Sequence, residues 1–384
     1  MFKVLIWDFT GISSQWLEQV ADKKFMEVVD TITPDKAAPE ILLKTDAWDW
    51  LLIFEQGARH FFDATIQTLR LPLDKVIYAL DLNSWLQHPK AAFTLIDIHR
   101  RGDIFANLNF AISRQLGNFV TCTVEGISYV AVSRDTFRMP RMVADQLNWA
   151  SGDMKRFHAL AQKFYGVDDS AGYFLDLGAN IGTTGIYFTK KLAPNLNLLA
   201  FEPDPENFKM HRVNLLLNDL DSKTDLINCG LGDKTSELML YRNGTNSGAN
   251  SFIKREESTP IATIKIIPLD DYFAEHKIDA REVKYIWIDT EGFEPQVLLG
   301  MKNLLRENPA PIFVECNLGA WDKSGCFDDM MALLAEGYSH FIHMYNGKET
   351  LYPLEALRTI ERPNNALGQI GDIFLIRKVA IAAE

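Results

Sequence analysis

The sequence predicts an α/β fold built from two domains, the larger of which contains a parallel sheet with helices on both faces. The chain has 384 residues, which suits two domains of roughly 100–200 residues each. From residue 173 onward, short apolar runs alternate with helical segments, and this alternation is typical of parallel sheets. Similar short runs precede residue 118. We therefore predict a smaller N-terminal α/β domain over residues 1–117 and a second domain over residues 118–384.

The predicted strands of the N-terminal domain are short and continuously apolar, as suits strands that are buried on both faces. They comprise residues 4–7, 50–54, 76–80 and 93–96, and the acids that follow them are Asp8, Glu55, Asp81 and Asp97. Acids at strand ends could mark a ligand crevice, but no glycine-rich phosphate loop follows them. The sequence therefore favours a scaffold or a partner surface over a second active site.

The second domain begins with a predicted hairpin and a helix. Residues 119–124 and 127–132 flank the turn residues Glu125-Gly126. A helical pattern then covers roughly residues 141–164. Further strands are predicted at residues 173–177, 197–201, 224–229, 283–288, 311–315, 338–344 and 371–377, with an inserted hairpin at residues 237–241 and 261–267.

Charge and composition exclude several classes of protein. The net charge of −12 argues against non-specific binding to nucleic acid, whose phosphates need Lys and Arg. No apolar stretch approaches the roughly 20 residues of a membrane-spanning helix, and the first apolar run ends at Asp8, which is too early for a signal peptide. The four cysteines show neither C-x-x-C nor zinc-finger spacing. We expect a cytoplasmic protein with reduced cysteines and no membrane span.

The strongest sequence signal is D-L-G-A-N-I-G at residues 176–182, where a predicted strand ends and a glycine turn leads into a helix. Glycines let a ligand pass close to the backbone because no Cβ is in the way. The spacing D-x-G-x-x-x-G differs from the dinucleotide fingerprint G-x-G-x-x-G, which places a pyrophosphate on the helix N-terminus. An acid at the entrance of the turn suits the ammonium group of an amino-acid-bearing cofactor. We therefore predict that Asp176, Gly178, Asn180 and Gly182 bind such a cofactor.

Two further acids extend the predicted cofactor site. Glu202 lies 20 residues after Gly182, at the end of the next predicted strand, where a carboxylate can accept hydrogen bonds from both ribose hydroxyls. Asp204 and Pro205 then suit the N-cap and the first residue of a helix. Asp233, after the third strand, either accepts a hydrogen bond from an adenine amino group or caps its own turn.

Together with later motifs, these residues resemble the FkbM-type methyltransferases from about residue 173 to residue 316. The shared pieces are D-L-G-A-N-I-G (176–182), F-E-P-D-P-E-N (201–207), N-x-x-x-N (214–218), L-D-D-Y (269–272), I-D-T-E-G-F-E (288–294), V-L-x-G (297–300) and F-V-E (313–315). The resemblance implies a seven-stranded class I methyltransferase (Rossmann-like) fold, S-adenosyl-L-methionine as the methyl donor, and hydroxyls of sugars or other secondary metabolites as acceptors. The chain departs from the family at Trp287, where the family usually has Lys.

The candidate chemical centre follows the predicted strand 283–288. Asp289 and Glu291 come directly after this strand, and Glu315 ends the next one. Because ligands bind outside the carboxyl ends of parallel strands, these acids should face the glycine turn. A hydroxyl acceptor needs a general base, and we assign that role to Asp289 or Glu291 with Glu315 in support. Asp289 is also predicted to contact the cofactor.

Several alternatives stay open for this centre. The carboxylates could hold Mg²⁺ through oxygen ligands, although we expect no metal. Glu291 or Glu294 could merely cap the following helix. His340 or His343 could supply a base, although a packing or surface role suits lone histidines better. The polar loop at residues 243–251 either hydrogen-bonds a sugar or is a surface connection.

The sequence as a whole predicts an S-adenosyl-L-methionine-dependent O-methyltransferase that acts on a small molecule or a glycan. An NAD-dependent oxidoreductase or epimerase is the first competing hypothesis, and the missing G-x-G-x-x-G disfavours it. A module that binds cofactor without turnover is the second, and Trp287 keeps it open. A homo-oligomer is compatible with the sequence, which fixes neither the acceptor nor the role of residues 1–117.

Overall fold

The computed structural model describes residues 2–11, 13, 26–33, 40–55, 59–72, 75–78, 119–133, 138–243, 246–344, 347–361 and 369–378. They form two compact units. The first comprises Met1–Val120 with Val143–Gln146, and the second comprises Thr121–Met142 with Leu147–Glu384.

The first unit contains a four-stranded parallel sheet in the order β2-β1-β3-β4. Its strands are β1 (Phe2–Asp8), β2 (Met26–Ile32), β3 (Trp50–Phe54) and β4 (Val76–Tyr78), and its helices are α1 (Glu40–Leu43) and α2 (Arg59–Leu69). The sequence predicted β1, β3 and β4 but missed β2. The strand predicted at residues 93–96 lies outside the described residues.

The acid at the end of β1 stabilises a turn. Asp8 Oδ1 accepts hydrogen bonds from the backbone amides of Thr10 and Gly11, both at 2.8 Å, and Asp8 Oδ2 accepts one from the amide of Ser13 at 2.9 Å. A carboxylate that binds its own following amides is a turn-forming group. The geometry at Asp8 therefore supports the scaffold interpretation of this strand end.

The second unit begins with the predicted hairpin, β5 (Phe119–Val124) and β6 (Ile127–Val132). Glu125 and Gly126 both have positive φ, 49° and 72°, as a two-residue type I′ turn requires. Two helices follow, α3 (Arg138–Asp145) and α4 (Ser151–Tyr165). The single helix predicted at residues 141–164 is therefore wrong, because Gln146 and Ala150 adopt left-handed backbone conformations that break it.

Strands and helices then alternate to the end of the described chain. The strands are β7 (Tyr173–Leu177), β8 (Asn197–Phe201), β9 (Thr224–Ile227), β10 (Gly230–Leu231), β11 (Ser236–Arg242), β12 (Thr259–Ile267), β13 (Val283–Ile288), β14 (Ile312–Asn317), β15 (Tyr338–His343), β16 (Leu351–Pro353) and β17 (Gln369–Arg377). The helices are α5 (Thr183–Tyr187), α6 (Pro205–Leu217), α7 (Leu269–His276), α8 (Glu294–Leu299), α9 (Lys302–Glu307), α10 (Leu318–Lys323), α11 (Phe327–Gly337) and α12 (Ala356–Thr359).

The main sheet has eight strands in the order β16-β15-β17-β14-β13-β7-β8-β9. The five strands from β14 to β9 are mutually parallel, and β17 pairs antiparallel with both β14 and β15. The α/β class predicted from the sequence is confirmed, with one strand more than the seven that the resemblance implied. The additional strand is the short edge strand β16. The chain order reverses between β7 and β13, which is where open α/β sheets bind ligands.

The predicted inserted hairpin forms a separate small sheet. β11 and β12 pair antiparallel, and β10 pairs parallel with β12. β10 directly follows the main-sheet strand β9, so the insertion brings its own residues to the same edge of the fold.

One face of the main sheet is strongly aromatic. Trp287 is 3% exposed and stacks on Phe313, with ring centroids 3.4 Å apart. Phe157 of α4 meets both rings edge-on, at 5.8 and 6.1 Å. Trp287 is also the cross-strand neighbour of Asp176. The residue that departs from the family pattern therefore packs in the core of the sheet face that also carries Asp176.

The motif N-x-x-x-N attaches helix α6 to the hairpin. Asn214 accepts from the amide of Val130 at 2.6 Å and donates to the carbonyl of Val130 at 3.1 Å. Asn218 accepts from the amide of Ser128 at 3.2 Å and donates to its carbonyl at 2.7 Å. Four residues of helix rise about 6 Å and two residues of strand about 6.6 Å, so the two amides match alternate strand residues. Asn214 also donates to the carbonyl of Ile181 in the glycine turn, at 2.8 Å.

We expect Trp287→Ala to lower the free energy of unfolding by about 3–5 kcal/mol, because it empties a large volume between Phe313 and Phe157. Urea denaturation followed by circular dichroism measures this change. Leu216→Ala on α6, where Leu216 is 57% exposed, serves as the control and should change stability by less than about 0.5 kcal/mol. Equal effects of the two substitutions would contradict the packing described for Trp287.

Candidate functional site

The glycine turn after β7 is held against the end of β13. Gly178 has a φ of 97°, and a Cβ on it would lie 1.9 Å from the backbone oxygen of Asp289. The amides of Gly178 and Ala179 donate to the carbonyl of Phe201 at 3.1 and 3.0 Å. Only glycine permits both this backbone conformation and this approach. The turn therefore brings the carboxyl ends of β7, β8 and β13 together.

Glu202, at the end of β8, ties the glycine turn to the next helix. Its Oε2 accepts from the amide of Asn180 at 2.7 Å, and its Oε1 accepts from the amide of Asp204 at 2.8 Å. The side chain is 4% exposed. Burial, reinforced by the charge of Asp204, raises the pKa of Glu202 to about 8. The side chain of Asn207 also donates to this carboxylate, which leaves about one of its four lone-pair sites for a hydrogen bond from a ligand hydroxyl.

A cavity opens at this edge of the sheet and encloses about 550 Å³, part of which is open to solvent. Its wall combines residues from the strand ends with residues from the inserted sheet and its loop. They are Gly178, Asn180, Phe201, Glu202, Pro203, Asn207, Cys229, Gly230, Leu231, Leu240, Gly248, Asn250, Ser251, Phe252, Asp289, Thr290, Glu291 and Phe293. Five predicted site residues, namely Gly178, Asn180, Glu202, Asp289 and Glu291, thus share one cavity.

Three predicted cofactor residues do not line this cavity. Asp176 is 1% exposed, and its Oδ2 accepts from the amide of Gly185 at 2.8 Å. A Cβ on Gly182 would lie 2.4 Å from the ring of His211, so this glycine serves packing. Asp233 is exposed at its turn. Asp176 therefore positions helix α5, and the acid that lines the cavity on this side is Asp289. The cofactor contacts of Asp176, Gly182 and Asp233 stay predictions.

Glu294 stabilises the loop after β13. Its Oε1 accepts from the amide and the hydroxyl of Thr290, both at 3.0 Å, and from the amide of Gly292 at 2.9 Å. Its Oε2 accepts from the indole N–H of Trp321 at 2.7 Å. The side chain is 0% exposed. The geometry supports a structural role for Glu294, close to the capping alternative that the sequence left open.

Asp289, Glu291 and Glu315 form what we call the carboxylate cluster. One carboxylate oxygen from each lies within 4.8 Å of the other two. Burial raises the pKa of all three groups, that of Glu291 to about 8. Asp289 and Glu315 also share a hydrogen bond, which requires one proton between the two carboxyl groups. Glu315 completes the cluster although it does not line the cavity.

Two arginines that the sequence analysis missed lie near the cluster. The charge of Arg138 lowers the pKa of Asp289, Asp176 and Glu291, opposing the effect of burial. Arg138 is 7% exposed, with its guanidinium 5.2 Å from the ring of Trp149. Arg255 lies with a terminal nitrogen 3.6 Å from Glu291 Oε2. Neither arginine belongs to a motif, so no sequence signal distinguished them.

The two candidate histidines do not line the cavity, whereas the polar loop reaches it. His340 and His343 lie on β15 and do not line the cavity, so the geometry does not support them as bases. The polar loop does reach the site, since Gly248, Asn250 and Ser251 are part of the cavity wall. Asn250 donates to Asp204 Oδ2 at 2.6 Å. Its buried Oδ1 has no hydrogen-bond partner within the described part of the chain.

Comparison with known proteins identifies a methyltransferase domain in this chain. Residues 176–340 match the family model described as the methyltransferase FkbM domain. The chain is similar to methyltransferase sdnD of Sordaria araneosa, with 27% identity over 43% of this chain and 72% of that protein. It is also similar to methyltransferase 1 of Beauveria bassiana, with 30% identity over 35% of this chain and 59% of that protein.

Among solved structures, the chain is similar to a methyltransferase FkbM from Methylobacillus flagellatus. The identity is 14%, the coverage is 97% of this chain and 90% of that chain, and the TM-score is 0.35. An O-methyltransferase from Bacillus cereus in complex with SAH is similar at 12% identity, with a coverage of 60% and 82% and a TM-score of 0.34. Within the described residues, no helix has the length and apolar character to cross a membrane.

We expect Glu294→Gln to lower the free energy of unfolding by about 1–3 kcal/mol, because an amide N–H₂ would face N–H donors and leave them unpaired. Urea denaturation measures the change. Glu257→Gln is the matched control, since Glu257 is exposed and should tolerate the same exchange. An unchanged stability for Glu294→Gln would contradict the structural role of this carboxylate.

Burial makes the stability of this edge depend on pH. The pKa is raised to about 7 for Asp176 and to about 8 for Glu202, Glu291 and Asp372. The native state then binds more protons than the unfolded chain up to pH 8, so the free energy of unfolding falls as pH rises. We expect the melting temperature to fall between about pH 6 and 9. Asp372→Asn should flatten this slope, whereas the exposed control Asp271→Asn should not; a melting temperature that rises with pH would contradict the prediction.

Proposed function

We propose that this chain, which belongs to the FkbM methyltransferase family, transfers the methyl group of S-adenosyl-L-methionine to a hydroxyl oxygen of a sugar, a glycan or a secondary metabolite. The observation that carries the proposal is the shared cavity. Asp289 and Glu291 line the same wall as the glycine turn and Glu202. A group that can bind a nucleoside and a group that can accept a proton therefore line one cavity.

The cavity fits the cofactor in charge and in hydrogen-bonding capacity. Glu202 stands at the strand end where ribose hydroxyls are bound in such folds, and about one lone-pair site of its carboxylate remains for them. The buried Oδ1 of Asn250 lacks a donor, which an adenine amino group or a ribose hydroxyl would provide. Asp289 and Glu291 supply negative charge for a cationic sulfonium and ammonium. In this arrangement Asp289 replaces Asp176 as the partner of the amino-acid end.

Bound S-adenosyl-L-methionine supplies a methyl group already activated by its sulfonium. The protein's own task is to hold the acceptor oxygen in line with that methyl group and to take up the hydroxyl proton. Glu291, whose pKa burial raises to about 8, matches a proton acceptor that works near neutral pH. Asp289 is the alternative base, and Glu315 supports it through their shared hydrogen bond.

The polar loop that forms part of the cavity wall supports the proposed class of acceptor. Residues 246–251 contribute two asparagines and two serines, and Asn250 and Ser251 reach the cavity wall. Amide and hydroxyl groups bind other hydroxyl groups well because each can donate or accept. This loop supports a polyhydroxylated acceptor over an apolar one. The names of methyltransferase sdnD and methyltransferase 1 specify no acceptor.

The test separates cofactor binding from turnover. Calorimetry with S-adenosylhomocysteine should show binding to the full chain, and Glu202→Gln should weaken it by about 1–3 kcal/mol through lost ribose hydrogen bonds. Mass spectrometry of host glycans and metabolites incubated with cofactor should reveal a singly methylated product. Once that product is known, Asp289→Asn or Glu291→Gln should lower kcat by about 10²–10⁴-fold.

Asp271→Asn, which removes an exposed carboxylate that does not line the cavity, serves as the control and should leave kcat and affinity unchanged. Binding of NADH in place of S-adenosylhomocysteine would contradict the proposal. Cofactor binding with no methylated product from any acceptor would instead indicate a binding module. Normal affinity of Glu202→Gln would refute the assigned ribose contact.

A further inference from the structure

We propose that the carboxylate cluster, together with Asn317, is a binding site for a divalent cation of the Mg²⁺ or Mn²⁺ type. The existence of the site rests on the geometry of these residues alone. Its role in catalysis rests on the function proposed above, because the cation would bind the acceptor hydroxyl oxygen and lower its pKa.

The first observation is the arrangement of oxygens at neighbouring strand ends. Asp289 follows β13, and Glu315 lies near the end of β14, which pairs parallel with β13. The fixed register of the two strands therefore holds these carboxylates side by side. With Glu291, they offer three oxygens that lie within 4.8 Å of one another. Hard divalent cations prefer oxygen ligands from carboxylates and side-chain amides.

The second observation is independent of the acids. Asn317 is 0% exposed, and its Nδ2 donates to Glu315 Oε2 at 2.8 Å. Its Oδ1 is buried and has no hydrogen-bond partner among the described residues. A buried carbonyl oxygen without a partner is unusual in a native fold. This amide lies beside the carboxylate cluster, and its oxygen could accept a hydrogen bond or bind a cation.

Rotating the amide of Asn317 by half a turn exchanges its oxygen and its nitrogen. Oδ1 would then face Glu315 Oε2 at the spacing that Nδ2 now has, 2.8 Å. Adjacent oxygens in an octahedral shell of radius 2.0–2.1 Å are about 3 Å apart. Asn317 can therefore provide a fourth oxygen ligand, next to Glu315, without any movement of the backbone.

The charge around the site also favours a cation. Asp372 is the cross-strand neighbour of Glu315, and Glu294, the first residue of α8, is buried. Arg138 is close enough for its charge to act on Asp289, and Arg255 lies 3.6 Å from Glu291 Oε2. Five carboxyl groups thus surround a region with two arginines among the described residues.

The experiment measures cation binding directly. The full chain is treated with EDTA, exchanged into metal-free buffer, and titrated with MnCl₂ while electron paramagnetic resonance follows the free ion. We expect one Mn²⁺ per chain, with MgCl₂ competing for the same site. The titration is repeated with S-adenosylhomocysteine present, so that a site completed by the cofactor is also detected.

Variants at Asn317 give the sharpest comparison. Asn317→Leu removes the oxygen and should weaken Mn²⁺ binding by at least about tenfold, whereas Asn317→Asp retains an oxygen ligand and should bind at least as tightly as the native chain. Asp289→Asn should also weaken binding by at least about tenfold. Asp271→Asn should bind like the native chain. Melting curves check the fold, and Asp289→Asn should keep or raise the melting temperature of the metal-free protein because it removes a charge from an acidic cluster.

Absence of Mn²⁺ binding to the native chain, with and without S-adenosylhomocysteine, would overturn the proposal. Equal affinities of Asn317→Leu and Asn317→Asp would overturn the assignment of Asn317. The result is separable from the proposed function. Methyl transfer that continues in excess EDTA would refute the catalytic role of a cation and leave the methyltransferase intact, whereas a cation that binds to a protein without transferase activity would refute the function alone.

Discussion

The close approach of two strand ends, β7 and β13, is the constraint on which the rest of the site depends. Gly178 lies so near the backbone of Asp289 that a Cβ would be 1.9 Å from its carbonyl oxygen. Two further bonds, from the amides of Gly178 and Ala179 to the carbonyl of Phe201, fix β8 to the same turn. Because backbone atoms make these contacts, the positions of Glu202 and Asp289 do not depend on flexible side chains. A site that must align a methyl group within a fraction of an ångström benefits from such rigidity.

Buried carboxylates hold this edge of the sheet in place, and each of them binds a different part of the structure. Asp176 binds the start of α5, Glu202 binds the glycine turn, and Glu294 binds the loop after β13. These three accept backbone hydrogen bonds that would otherwise lack a partner. Asp289 and Glu291 face the cavity instead. Desolvation raises the pKa of both kinds of acid, so an elevated pKa marks this edge as a whole and does not by itself identify the group that takes the proton.

The difference between carboxylates that bind backbone amides and carboxylates that line the cavity explains what could be predicted from the sequence. The strands from β7 to β14, except the short β10, and the hairpin at Glu125-Gly126 follow from apolar runs and turn residues, which are local signals. Placing Glu202 and Asp289 at the cavity follows from their position at strand ends. The roles of Asp176 and Glu294 depend on which backbone amides come within reach after folding, and no spacing rule contains that information. Arg138 is reached only through the fold, because its charge acts on Asp289, more than a hundred residues away in sequence. The break between α3 and α4 depends on left-handed residues that are not glycine, which a helical pattern does not show.

The exchange at position 287 connects the core to the charge of the site. Trp287 pairs with Asp176 and with Phe313 on neighbouring strands, so a lysine here would place its ammonium on the sheet face that carries Asp176. Trp287 stacks on Phe313 instead and removes that positive charge from beneath the carboxylates. The pKa of Asp176 is then raised to about 7 by burial, with Arg138 as the cation that partly opposes this shift. With a tryptophan instead of a lysine at position 287, less positive charge lies near these carboxylates. Protons, the cationic end of the cofactor or a divalent ion must supply the missing positive charge. The open end of the sheet is therefore better suited to binding a cation than it would be with a lysine at position 287.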